Sequence, residues 1–150
     1  NRSNCGINLI LIRYAEVLLI AAECRIELNT ETNVALQYIN KIRQRSDVNM
    51  PPLIGITDQN KLREALRHER MVELALEGSR FFDIRRWKVG EQVCNMNQIE
   101  GMRYVDKATG QLATVTTDYK KKFSSRDYLW PIPYNERQLD INLTQNNGWD

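Results

Sequence analysis

The stretch TDQNKLREALRHERMVELALEGSRFFDIRRW, from Thr57 to Trp87, decides how this chain is built. Laid on a helix at roughly 100° per residue, Leu62, Leu66, Glu69, Glu73 and Leu76 fall on one narrow stripe. Two carboxylates therefore share the centre line of an otherwise apolar face. An unpaired carboxylate in a dry interior would take up a proton or destabilise the fold. Glu69 and Glu73 are thus expected to meet arginines from elsewhere in the chain, with Arg13, Arg43, Arg80, Arg85 and Arg86 as the candidates. Thr57 or Asp58 is placed to cap the start of this helix. Gly78 marks tight packing or a break before a short helical turn carrying Phe81, Phe82, Ile84 and Trp87.

Working outward, Ile7 to Leu28 reads as a helix apolar on nearly every side, with Arg13, Glu16, Glu23 and Glu27 confined to one strip. Such a helix is expected to be covered by several neighbours. The turn at Asn29 to Thr32 offers threonines as caps for a second helix from Glu31 to Arg45. Its stripe of Ala35, Tyr38, Ile39 and Ile42 faces the first helix, while Lys41, Arg43 and Arg45 sit near its C-terminus, where the macrodipole favours cations. Two helices joined this way form an αα-hairpin about as long as one tetratricopeptide unit. Similarity between Lys61 to Trp87 and Ile10 to Arg25 is weak, so a repeat is suggested without being established. Asp47 to Thr57 is a loop punctuated by Pro51, Pro52 and Gly55.

Past Lys88 the periodicity dissolves, and a connection of that length with little structure of its own reads as a functional loop. Asp106 to Gly110 is a candidate turn between short strands at Met102 to Val105 and Leu112 to Thr116. The closing segment, with Pro131 and Pro133 around Ile132, is turn-rich and apolar enough to be tied to the body of the protein. The expected fold is mainly α, with tetratricopeptide-like helical hairpins, a long irregular loop with room for a small β-hairpin, and an extended C-terminal tail. Residues 1–150 are expected to form a single domain.

Composition narrows the function. With 42% hydrophobic and 27% charged residues and a formal charge of +2, the chain carries no single-sign field, so nucleic acid is not favoured as a partner. Lys120, Lys121 and Lys122 read as a solvated loop. The longest apolar stretch is broken by Arg13, Glu16 and Glu23, which argues for a core helix rather than a membrane span. The opening NRSNCG lacks the pattern of an export signal, so targeting information is expected upstream in a longer protein. Cys5, Cys24 and Cys94 show no CxxC spacing, which indicates neither a zinc site nor a complete disulfide framework. Cys24 reads as a small core residue, and pairing of Cys5 with Cys94 is open.

Catalysis has little to build on. Glu69 and Glu73, four residues apart on one helix, sit about 5 to 6 Å apart at Cβ and share a buried stripe, which suits packing better than glycoside hydrolysis. His68, the one histidine, has neither a nucleophile motif nor a metal-ligand set beside it and reads as a solvent-facing residue. No cofactor is indicated. Aromatic rings can stack on the apolar face of a sugar while polar groups bond its hydroxyls. Trp87 and Trp130 read as core. Tyr104 and Tyr119, beside Arg103, Asn97 and Asp118, have the composition of a ligand loop, although tyrosines there also serve as packing anchors.

Several of these segments resemble the SusD/RagB family. They are Arg13 to Leu19 with Ala22 and Glu23, then Ala35 to Arg45, and His68 to Trp87. The closing pieces are Tyr128 to Pro133 with Glu136, and Gln145, Asn146, Gly148 and Trp149. The resemblance is to the C-terminal portion of much longer surface lipoproteins. It implies a tetratricopeptide-like scaffold on the outer face of an outer membrane, with no enzymatic activity. It further implies binding of an oligosaccharide or peptide and a partner transporter of the TonB-dependent SusC type. The lipid-bearing cysteine of the family belongs to an N-terminus that this stretch does not include, so Cys5 is not that anchor. The matching residues are packing and ion-pair residues, expected to join Arg13, Glu16, Glu69, Glu73, Arg80, Asp83 and Arg85 in one structural network. Ligand contacts are expected from Tyr104, Tyr119 and Arg103. The competing reading is a generic helical-repeat module that binds another protein.

Overall fold

The computed structural model describes residues 10–95, 102–115 and 122–149, and the chain folds as two compact units that divide between Arg80 and Phe81. Cys5, Asn97, Asp118, Tyr119 and the question of a Cys5 to Cys94 pair lie outside the described residues.

The first unit is built on three helices, α1 (Tyr14–Glu27), α2 (Thr32–Arg43) and α3 (Gln59–Glu73). Leu18, Leu19, Ala22 and Ile26 of α1 meet Ala35, Ile39 and Ile42 of α2, and Leu62 and Leu66 of α3 complete one continuous core. The α1–α2 pair is the helical hairpin, and α3 packs on both of its members. Polar side chains fix the ends. Asp58 caps α3 by accepting from the Lys61 N–H, and Gln59 Nε2 donates to the Ile26 carbonyl at the end of α1, 2.6 Å away. Asn40 holds the proline loop in both directions, donating to the Leu53 carbonyl at 2.9 Å and accepting from the Leu53 N–H at 2.7 Å.

Several boundaries differ from the sequence reading. Helix α1 starts at Tyr14 rather than Ile7, because Arg13 is extended and serves as its N-cap. An unbroken aliphatic run such as Leu9 to Ile12 carries no period from which a helix start could be placed. Nor is α1 covered all round: Tyr14, Val17, Ile20 and Cys24 are exposed, so Cys24 is not a core residue, while Glu23 of the supposed polar strip is buried. Helix α2 runs from Thr32 rather than Glu31, which precedes it in the left-handed region without a side-chain cap. Helix α3 stops at Glu73. The chain then turns through Leu76 at φ +66° and Gly78 at φ +83°, so Leu76 is exposed and Leu74 takes the core position instead.

The second unit continues from α4 (Ser79–Arg86) through a short α5 (Gly90–Val93) to an antiparallel hairpin of β1 (Arg103–Val105) and β2 (Leu112–Thr114). A 3-10 turn (Ser125–Tyr128) and α6 (Tyr134–Leu139) follow. Phe123 lies edge-on to Tyr128 with ring centroids 4.9 Å apart, and its ring fills the space that a Cβ at Gly90 would occupy. Amides tie down the closing segment. Gln145 bonds both backbone groups of Ile132, Asn146 Nδ2 donates to the Trp130 carbonyl, and Trp149 Nε1 donates to the carbonyls of Arg126 and Leu129. Trp130, read as core, is exposed, with Phe81 6.1 Å from it between ring centroids. The architecture of the described residues is thus mainly helical, with one small antiparallel β-hairpin.

Candidate functional site

In the first unit Arg13, Arg25, Arg43, Arg45 and Arg63 are paired with carboxylates. Arg13 pairs with Glu73, donates to the Glu73 carbonyl, and reaches Glu77 at 2.7 Å. Arg45 also pairs with Glu73, and Arg43 pairs with Glu69 at 2.7 Å while its Nε donates to the Pro51 carbonyl. The Glu77 carboxylate raises the Arg13 pKa, and in return Arg13 holds the Glu77 carboxyl below its usual range. Glu73 raises Arg45 in the same way, and Glu27 raises Arg63. Of the residues expected in a network, Glu16 and Arg80 are half-buried and join no ion pair among the described residues, and Asp83 pairs with Arg86. Arg45 was not among the partners named from the sequence, because its place at the end of α2 already had an explanation in the helix dipole. This arrangement has the chemistry of a brace, with the carboxylates of Glu69 and Glu73 both engaged and little surface for a ligand.

The residues expected to contact ligand lie in the second unit on the β-hairpin. Arg103, Tyr104 and Val105 of β1 are all exposed, and Tyr104 stands opposite Ala113, whose methyl is too small to cover a ring. The turn is held locally. Asp106 Oδ1 accepts from the Ala108 N–H at 2.8 Å, the Asp106 carbonyl accepts from the Gly110 N–H at 2.7 Å, and Gly110 supplies φ +68°. The structure therefore presents Arg103 and Tyr104 side by side in sequence on an exposed strand. Hairpins of this kind have no buried face of their own, and since successive strand residues face opposite sides, Tyr104 offers a stacking plane on one face and Arg103 a cation on the other.

A second feature of this unit escaped the sequence reading. Phe81, Ile84 and Arg85 from α4, together with Cys94, Lys122, Phe123 and Asp127, line a cavity of about 340 Å³. The Arg85 guanidinium lies 3.6 Å from the Phe81 ring centroid and 5.7 Å from that of Phe123. Its Nη1 donates to the Phe81 carbonyl at 3.3 Å, and its buried Nε has no hydrogen-bond partner among the described residues. Arg85 had been placed in the ion-pair network; it joins no ion pair among the described residues and stacks on an aromatic ring instead. Asp127, on the same wall, accepts from the Ser124 N–H at 2.7 Å and from the Ser124 hydroxyl at 2.9 Å, and these bonds hold its carboxyl below the usual range. No spacing rule links α4 to residues some forty positions on, so only the fold could assemble this cavity.

The family model for the SusD family matches residues 1–149. The chain belongs to the SusD family. Among curated SusD relatives, SusD-like protein P2 of Formosa agariphila is 35% identical over 153 residues, a match covering 98% of this chain and 27% of that protein. SusD-like protein P25 of the same organism is 46% identical over 90 residues, covering 59% of this chain and 17% of that protein. Among solved structures, a SusD-like protein of Bacteroides fragilis superposes with a TM-score of 0.79 at 38% identity, covering 93% of this chain and 25% of that one. A SusD superfamily protein from Parabacteroides distasonis gives a TM-score of 0.66 at 26% identity, covering 99% and 29%. The chain spans about a quarter of the length of the P2 relative and of the Bacteroides fragilis structure. Among the described residues, no helix is long and apolar enough to cross a membrane.

Proposed function

We propose that this SusD-family chain is part of a non-enzymatic nutrient-binding lipoprotein at the outer-membrane surface, which captures glycan, or peptide, and delivers it to a TonB-dependent transporter of the SusC type. The observation that carries the reading is the family match across residues 1–149, joined to homologues that are SusD-like over nearly this whole stretch. Tyr104 and Arg103, with Tyr119, are the ligand contacts in this reading, and the exposure of the β1 side chains supports the first two. The buried ion pairs of the first unit hold the scaffold and touch no cargo.

The test is a calorimetric screen of an oligosaccharide and peptide panel against the chain and its Tyr104→Ala variant. Binding of a glycan or peptide is expected, weakened about tenfold by Tyr104→Ala, a loss of about 1.4 kcal/mol. The variant should melt with the parent, because the ring is exposed. Absence of binding to every compound, or release of sugar hydrolysis products by the pure chain, would overturn the reading.

A further inference from the structure

We propose that the cavity lined by α4 receives the anionic substituent of an acidic sugar, a carboxylate or a sulfate, held by Arg85 and Lys122 between the Phe81 and Phe123 rings. The proposal rests on the glycan-binding reading and names the class of glycan. Charge accounting is the first argument. Arg13, Arg25, Arg43, Arg45, Arg63 and Arg86 each reach a carboxylate within ion-pair distance. Arg85 and Lys122 face the same cavity and reach none among the described residues. Asp127 on the same wall is held ionised by both Ser124 donors and by the charges of Arg126 and Arg85, so it offsets one of the two cations and the lining keeps a net positive charge. A guanidinium with a donor unspent is suited to the fork geometry of carboxylate and sulfate oxygens.

Size and lining agree with a small ligand. At about 340 Å³ the cavity falls at the lower end of the ~300 to 1,000 Å³ typical of small-molecule sites. Phe81 and Phe123 give the cavity aromatic walls of the kind that suit the apolar face of a sugar ring. A contrast within the molecule sharpens the point. The hollow of about 290 Å³ beside α1, lined by Tyr14, Leu18 and Ile42, also has cations at its edge. There, Arg13 and Arg45 are taken by Glu73, and Lys41 donates to the Tyr14 hydroxyl. The plain alternative for Arg85 is an arginine that stacks on Phe81 to fill space. Such a role needs neither Lys122 nor selectivity for charge.

The test titrates digalacturonic acid, galactobiose and a singly sulfated galactobiose into the chain by calorimetry. The Lys122→Gln and Arg85→Lys variants are run alongside at two salt concentrations. Lys122 is exposed, so its variant keeps the fold, and Arg85→Lys keeps the charge while removing the fork. At least one acidic disaccharide is expected to bind about tenfold or more tightly than galactobiose, with the preference reduced in each variant and at higher salt. Preference for the uronate alone or the sulfated sugar alone supports the proposal and assigns the anion. Equal binding of neutral and acidic sugars, or a preference that Lys122→Gln and Arg85→Lys leave intact, would overturn it while leaving glycan binding standing. If none of these disaccharides binds, this proposal fails; whether the glycan reading fails with it is decided by the wider panel above.

Discussion

Truncating Glu69 and Glu73 to alanine should separate two buried carboxylates that look alike in sequence. Both side chains are 9% exposed. The Glu69 partner, Arg43, is itself only 14% exposed and has no second carboxylate among the described residues, keeping just the Pro51 carbonyl. Glu69→Ala therefore strands a buried cation and should cost about 3 to 5 kcal/mol, the usual loss when one member of a buried pair is removed. Glu73 serves two arginines, yet the cost of removing it should be smaller. Arg13 at 26% and Arg45 at 37% exposure keep water, and each retains another carboxylate, Glu77 at 2.7 Å and Asp47 at 3.3 Å. We expect about 1.5 to 3 kcal/mol for Glu73→Ala, between the values for exposed and buried pairs. Urea unfolding followed by circular dichroism reads both, with an unchanged slope showing that the denatured state is not altered. Adding Arg43→Ala to Glu69→Ala should recover part of the loss, since the stranded charge leaves with it. A Glu73→Ala cost equal to or above that of Glu69→Ala would refute this account of buried charge.

Two further outcomes follow from the first unit. Asn40→Ala removes both bonds to the Leu53 backbone and should cost about 1 to 2 kcal/mol; it should also expose the Pro51 to Ile56 segment to limited proteolysis, and an unchanged cleavage pattern would count against that role. Acid should destabilise the fold through Glu77, whose carboxyl is held low by Arg13. The unfolded chain takes up this proton at higher pH than the folded one, so the contribution is fully present above the ordinary glutamate range and is lost as pH falls through and below it. Melting temperatures across that range should show a shallower acid limb in Glu77→Gln than in the parent.

Much of the scaffold was legible because its signals are local. The Ala35, Ile39 and Ile42 stripe, the Asp58 cap and the turn at Asp106 to Gly110 each depend on neighbours within a few residues. Carboxylates on an apolar stripe also announced a need for partners, and Arg13 and Arg43 stand where two of the named candidates were. What failed was whatever depends on distance along the chain. Arg45 reaches Glu73 across 28 positions. The cavity lined by α4 was invisible for the same reason, since Arg85 and Lys122 share no period. A helix stop without a clear signal failed too: α3 ends at Glu73 and Leu76 itself is left-handed, so Leu74 takes its place in the core. Arg103 and Tyr104 were named from composition alone, and the structure places both exposed on β1; composition marks an exposed loop but cannot show which side chains in it converge.

The β-hairpin carries one more consequence. Its strands are three residues long, and the β1 side chains are all exposed, so it has no core to hold it. Two-stranded ribbons of this kind are marginal in water. A ligand that grips Tyr104 must therefore supply part of the free energy that orders the strand, and the observed affinity falls by the fraction of time the strand is already formed. The deficit appears as a short residence time, because differences in affinity lie mostly in dissociation. Under the function proposed above, in which cargo passes on to a transporter, loose retention would be a working property: it would let the cargo leave without a separate device to expel it.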